Sequence, residues 1–184
     1  MTFDDYYRYF EKILEDPEKS DPYNQEDYLN YTKLNFARLK RWLGRFEPSE
    51  ETKSKIQSIQ DYQHWVVITE PWCGDAAHSV PQIYQMVKDN PFIEFEIQLR
   101  DSEPYLIEDY LTGGSKSIPI LIIRNDVGHD QLVWGPRPKG ATEIFEQLKM
   151  QNVSKDNIVE EIQKWYNQDK GESIQKEILQ ELFK

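Results

Sequence analysis

The chain offers a single sulfur nucleophile. Cys73 is its only cysteine in 184 residues, so no disulfide can close within the chain, and the thiol is either an inert core group or a reactive one. A thiol attacks as its thiolate, which basic neighbours or a helix N-terminus favour and burial disfavours. Cys73 lies in the run Glu70-Pro71-Trp72-Cys73-Gly74-Asp75-Ala76-Ala77, where Glu70 and Asp75 would raise its pKa and Trp72 would shield one side. The three histidines, His64, His78 and His129, offer with Cys73 no recognisable zinc spacing, and no metal is expected. His78 stands five residues after Cys73, about one and a half helical turns on and poorly placed for contact on the same face. It reads as a core or solvent-facing histidine. Glu70 and Asp101-Ser102-Glu103 could gather carboxylates near the thiol, but acidic loop residues are ordinarily solvated or capping, so a hydrolase is not supported.

The elements that must carry these residues follow from apolar spacing. Phe3, Tyr6, Tyr7, Phe10, Ile13 and Leu14 recur at helical period until Asp16-Pro17, and Leu29, Thr32, Phe36, Leu39 and Leu43 do the same until Gly44. Pro48-Ser49-Glu50-Glu51 then reads as a fresh helix start. Trp65 to Thr69 is a β-branched run of the kind covered on both sheet faces. Ala76, Ala77, Val80, Ile83, Tyr84 and Val87 follow one helix face, with Pro81 expected to kink it. Ile93, Phe95, Ile97 and Leu99 alternate with polar residues as a strand. That strand–helix–strand unit should close with a parallel pair and a right-handed crossover. Next come a short helix over Pro104–Leu111, a hairpin of Ile120–Ile123 and Gln131–Trp134 about an Asn125–Gly128 turn, and helices near 142–149, 155–167 and 173–183, the last two parted at Gly171. This order places Cys73 at the first strand-to-helix junction, where free amides and the helix dipole lower a thiol pKa. Arg100 and Arg137, on loops that should converge at the same sheet end, would lower it further.

The formal charge of −11 (22 Lys+Arg, 33 Asp+Glu) repels phosphate backbones and anionic membranes, so nucleic acid and membrane are poor partners. No apolar stretch reaches the ~20 residues a membrane span needs. Met1 to Tyr9 contain Asp4 and Asp5 and neither a basic nor an apolar run, so no secretory signal is read and a cytoplasmic location is expected.

Trp72-Cys73-Gly74-Asp75-Ala76 resembles the Trp-Cys-Gly-Pro-Cys site of thioredoxins. Pro81, eight residues after Cys73, matches that family's helix-kinking proline, Ile118-Pro119 its cis-proline, and Gly135 a glycine after the hairpin. Pro71-Trp72-Cys73-Gly74-Asp75-Ala76-Ala77, Leu99-Arg100-Asp101, Trp134-Gly135-Pro136-Arg137-Pro138 and Trp165-Tyr166-Asn167 also resemble a bacterial thioredoxin-like subfamily common in Bacteroidetes. The resemblance implies an α/β thioredoxin-like fold, a central mixed sheet flanked by helices, over residues 63–150, with helical extensions at 1–62 and 151–184. The family's dithiol cycle needs a second thiol three residues on to resolve a mixed disulfide, and Ala76 cannot supply it. Val67 likewise stands where thioredoxins hold a buried Asp that serves the same step. Two expectations follow. In one, Cys73 exchanges with a protein or peptide disulfide or a small-thiol adduct and an external thiol resolves it; glutathione or another small thiol is then a co-substrate, and no resident cofactor is expected. Trp72, Gly74, Asp75, Ile118 and Pro119 would hold the substrate, with Glu70, Arg100, Asp101 and Arg137 tuning the charge. In the other, the chain is a redox-inactive module that binds a protein or peptide in the groove near Pro119. The Gly-Asp-Ala sequence after Cys73 departs from the Cys-Gly-Phe-Ser motif of cluster-binding glutaredoxins, so an iron–sulfur role is not supported.

Overall fold

The computed structural model describes residues 1–184. Helix α1 (Phe3–Glu15) starts where Thr2 and Asp5 cap each other, the Thr2 hydroxyl accepting from the Asp5 amide and the Asp5 carboxylate from the Thr2 amide. It stops at Asp16 ahead of Pro17, and buries Phe3, Tyr6, Phe10 and Ile13 along one stripe. Helix α2 (Glu26–Arg45) runs one residue past Gly44 and buries Thr32, Asn35, Phe36, Leu39 and Trp42. Helix α3 (Glu50–Gln57) is capped by Ser49, whose hydroxyl accepts from the Thr52 amide.

Strand β1 (Gln63–Thr69) is the centre of the sheet and is covered on both faces from Trp65 onward. It leads through a short turn into α4 (Gly74–Val87), which carries Pro81 in its interior. Strand β2 (Ile93–Leu99) returns parallel to β1, β3 (Ile120–Asn125) lies antiparallel on the other side, and β4 (Asp130–Trp134) completes the order β2-β1-β3-β4. Helices α5 (Lys139–Met150), α6 (Lys155–Asp169) and α7 (Glu172–Leu182) follow, with Gly171 in the left-handed region between the last two (φ +84°).

One difference lies at 104–111. The short helix there is confined to one 3-10 turn over Leu106–Asp109. Tyr110 leaves the helical path because its hydroxyl is drawn onto the hairpin, donating to Asp130 (2.6 Å) and accepting from Arg124 (2.9 Å). Helix α5 starts three residues earlier than its apolar spacing indicates, since Pro138 precedes it with a helix-compatible φ of −54°.

A continuous core joins Phe3 and Phe10 of α1, Leu39 and Trp42 of α2, the inner sheet residues, and Ile174 and Ile178 of α7. The aromatic N-terminal helices therefore pack inward, as in the Phe3–Tyr84 stack at 4.0 Å. A second, smaller core of Ala141, Ile158, Ile162 and Tyr166 holds α5 against α6. No helix is long and apolar enough to cross a membrane.

Candidate functional site

Cys73 is the N-cap residue of α4, and its side chain makes no capping bond. Its amide donates to the Glu70 carbonyl (3.0 Å), which fixes the turn out of β1, and its carbonyl accepts from the Ala77 amide. The thiol donates to the Ile118 carbonyl at 3.3 Å, while the Asp75 and Ala76 amides face the sulfur. The Ile118–Pro119 peptide is cis. Gly135 (φ +126°) backs this loop so closely that a Cβ there would meet the Pro119 carbonyl oxygen at 2.2 Å. Only glycine meets both demands.

The helix start and the surrounding charges act on Cys73 in opposite directions. Burial pushes the thiol up to about 12, with the Asp75 charge adding to it. The Ala76 amide, the Arg137 charge and the Asp75 amide pull down and do not prevail. Arg137 is engaged elsewhere: it pairs with Asp75 at 2.8 Å and lies over the Phe145 ring at 4.4 Å. Asp75 also accepts from the Tyr166 hydroxyl (3.0 Å); burial raises its pKa, against the pull of Arg137 and Tyr166. Arg100 grips Asp101 through two hydrogen bonds (2.8 and 2.7 Å) and stacks its guanidinium over Trp72 at 4.6 Å. Glu70 is buried rather than solvated. It accepts from Tyr23 (3.2 Å) and the Asp101 amide (3.0 Å), and burial raises its pKa.

A cleft of about 710 Å3 opens beside the thiol, within the size range of small-molecule sites. Of the residues singled out from sequence, Trp72, Gly74, Asp75, Ile118, Arg100 and Arg137 line it together with Cys73, whereas Pro119, Glu70 and Asp101 are not part of that lining. The remaining walls come from residues to which sequence assigned no role. Helix α2 contributes Tyr28, Tyr31 and Arg38, and α6 contributes Lys155, Ile162, Gln163 and Tyr166. Asn35 lies on the apolar stripe of α2 at helical spacing from Thr32 and Leu39. Its burial was the available signal: its amide donates to the Pro71 carbonyl (3.0 Å) and its carbonyl accepts from Arg38 (2.9 Å). Tyr166 sits in a motif already noted and needed only a partner.

His78 joins these walls. Trp42 donates its indole N–H to His78 Nδ1 (2.8 Å), so the ring proton is on Nε2, facing Gln163 Oε1 at 3.0 Å. The imidazole stacks flat on Tyr166 with centroids 4.3 Å apart, and burial lowers its pKa to about 3. No three His, Cys, Asp or Glu side chains come together in a way that could hold a metal ion.

A cysteine opening the helix that follows a central strand, in a four-stranded mixed sheet, with a cis-proline loop alongside, defines a thioredoxin-like protein. The sequence model of a family described as Thioredoxin matches residues 22–149, and the chain belongs to that family. The match takes in α2, α3 and the sheet and ends within α5; α1, α6 and α7 lie outside it. No curated protein matches the chain. Among solved structures, it is similar to a protein of unknown function from Pseudomonas aeruginosa, with TM-score 0.52 and 15% identity over 77% of this chain and 90% of that one. It is also similar to an HIV epitope-scaffold, with TM-score 0.50 and 16% identity over 64% and 76%. At such identities the likeness is one of fold.

Proposed function

We propose that the protein carries out thiol–disulfide exchange through a single thiol. Cys73 attacks a disulfide or small-thiol adduct, and an external thiol releases the mixed disulfide. The observation that carries this reading is the placement of the chain's only thiol at the mouth of α4, on the wall of a cleft, with two backbone amides directed at it. In the resting site the thiol is protonated and donates to Ile118, so exchange starts when an occupant of the cleft draws the sulfur off that carbonyl. Incubation with glutathione disulfide followed by intact mass spectrometry tests it. The expected result is a one-to-one adduct that is absent in Cys73→Ser and removed by free thiol; an unmodified protein after prolonged incubation at pH 9 would refute it. Reduction of insulin should run no faster than the blank, since Ala76 leaves no second thiol to resolve an intermediate.

A second reading, a redox-silent module that binds a peptide near Pro119, is favoured by the protonated thiol together with Ala76 and Val67. It requires peptide binding that Cys73→Ser leaves intact.

A further inference from the structure

The cleft beside Cys73 differs in charge from the rest of the molecule. In a chain of formal charge −11, five basic side chains line it, Arg38, Arg100, Lys116, Arg137 and Lys155, against only Asp27 and Asp75. Three of the five have carboxylate partners: Arg100 with Asp101, Lys116 with Glu108 and Arg137 with Asp75. Arg38 on α2 and Lys155 on α6 have none within ion-pair distance.

Arg38 is half-buried, and its one hydrogen bond goes to a neutral amide, Asn35. Its Nη1 lies 3.6 Å from where a Cβ on Gly74 would be, which puts a guanidinium with unused donors beside the uncapped start of α4. Arg137 adds a buried Nε with no acceptor. The Asp75 charge reaches Arg38 but is paired directly with Arg137; holding a cation partly out of water without an ion pair of its own is unfavourable, and an anion between α2 and α6 would relieve it. The side chains of Tyr28, Trp72 and Tyr166 add aromatic groups to the lining of the same space.

We infer that the cleft receives a low-molecular-weight thiol bearing carboxylate or phosphate groups, which Arg38 and Lys155 position so that its sulfur meets Cys73. This rests on the exchange reading and names its co-substrate class. The sulfur of Cys73 attacks one sulfur of the ligand's disulfide; a new S–S bond forms and the ligand's own S–S bond breaks. Cys73 is oxidised into the mixed disulfide, the departing half is reduced, and the Cys73 proton passes to the departing thiolate through water. A second molecule of the same thiol reverses the step, and no other oxidant or reductant enters. Lys155 comes from outside the stretch matched by the family model, so this selectivity is supplied partly by the added helix.

Calorimetric titration of the full chain with two unreactive probes, S-methylglutathione and S-methyl coenzyme A, tests the anion site and separates carboxylate from phosphate ligands. At least one should bind, and Arg38→Gln should weaken it at least tenfold. Arg38→Lys should recover part of that loss, and the surface change Lys155→Gln should weaken binding several-fold in a protein whose fold is untouched. The diethyl ester of S-methylglutathione should bind at least tenfold more weakly than the acid if the carboxylate probe is the binder. Failure of both probes to bind, or a binder indifferent to Arg38 and Lys155, would overturn the inference. Adduct formation keeps the two readings apart. Probe binding without any adduct from glutathione disulfide supports the anion site and sinks the exchange. Adducts that form as fast from cationic cystamine as from glutathione disulfide and coenzyme A disulfide sink the anion site and keep the exchange.

Discussion

The acidity of Cys73 is decided by Asp75 as much as by the helix that starts there. Burial is the larger influence, but the neighbouring carboxylate acts in the same direction and Arg137 is spent mainly on countering it. Asp75→Asn should therefore lower the thiol pKa, because it removes a negative charge and leaves Arg137 free to act on the sulfur. Alkylation by iodoacetamide at pH 8 should speed up roughly three- to tenfold, a pKa unit being worth a factor of ten in thiolate. His78 gives a separate prediction in acid. Its folded pKa of about 3 lies below the ordinary 6.5, so the unfolded chain takes up a proton that the folded one refuses. The stability this contributes is complete above about pH 6.5 and is lost as pH falls toward 3. The slope approaches about 1.4 kcal/mol per pH unit. Glu70 and Asp75, with raised pKa values, work the other way, so the measurement is a difference. Urea unfolding of His78→Asn, which keeps an acceptor for Trp42, should lose stability less steeply than the parent between pH 6 and 4.

Most elements were legible because each is written in apolar spacing with a local stop. The Ser49 cap, the β-branched run of β1 and the glycine between α6 and α7 all act within a few residues of themselves. The short helix over 104–111 was read too long because its end is set by Tyr110 reaching Asp130 on another element, which no local pattern records. The site divides along the same line. Trp72, Gly74, Asp75, Ile118, Arg100 and Arg137 were readable from the motif and the loops, whereas Arg38, Lys155 and Gln163 approach from helices distant in sequence and carry no mark of it. Gly135 tests how tightly the elements are joined. An alanine there must both hold φ at +126° and push its methyl against the Pro119 carbonyl. Gly135→Ala should cost at least about 2 kcal/mol by thermal or urea unfolding and should shift the Ile118 carbonyl that holds the thiol. Gly114→Ala, also at positive φ but with nothing within 4 Å, should cost about 1 kcal/mol.

At the scale of the molecule, the sheet is not a self-sufficient core to which helices have been attached. Phe3, Tyr6 and Phe10 from one end of the chain and Ile174 and Ile178 from the other share a continuous interior with Trp65, Ile68 and Ile122. We therefore expect residues 63–150 expressed alone to remain unfolded, and the full chain to melt in a single transition by circular dichroism. Ile178→Ala, at a fully enclosed position in the last helix, should lower the stability of the whole chain by about 2–4 kcal/mol rather than fray one terminus. A loss confined to local opening near α7, read by hydrogen exchange, would contradict that cooperativity.

The methyl group of Ala76, 1% exposed, occupies the place from which a dithiol protein would expel its captured partner. Under the proposed chemistry, each chain then holds one guest until another arrives from outside to collect it. Its capacity is a matter of stoichiometry, proportional to the number of copies present, and the dwell time of the guest is set by the surrounding supply of releasing thiol.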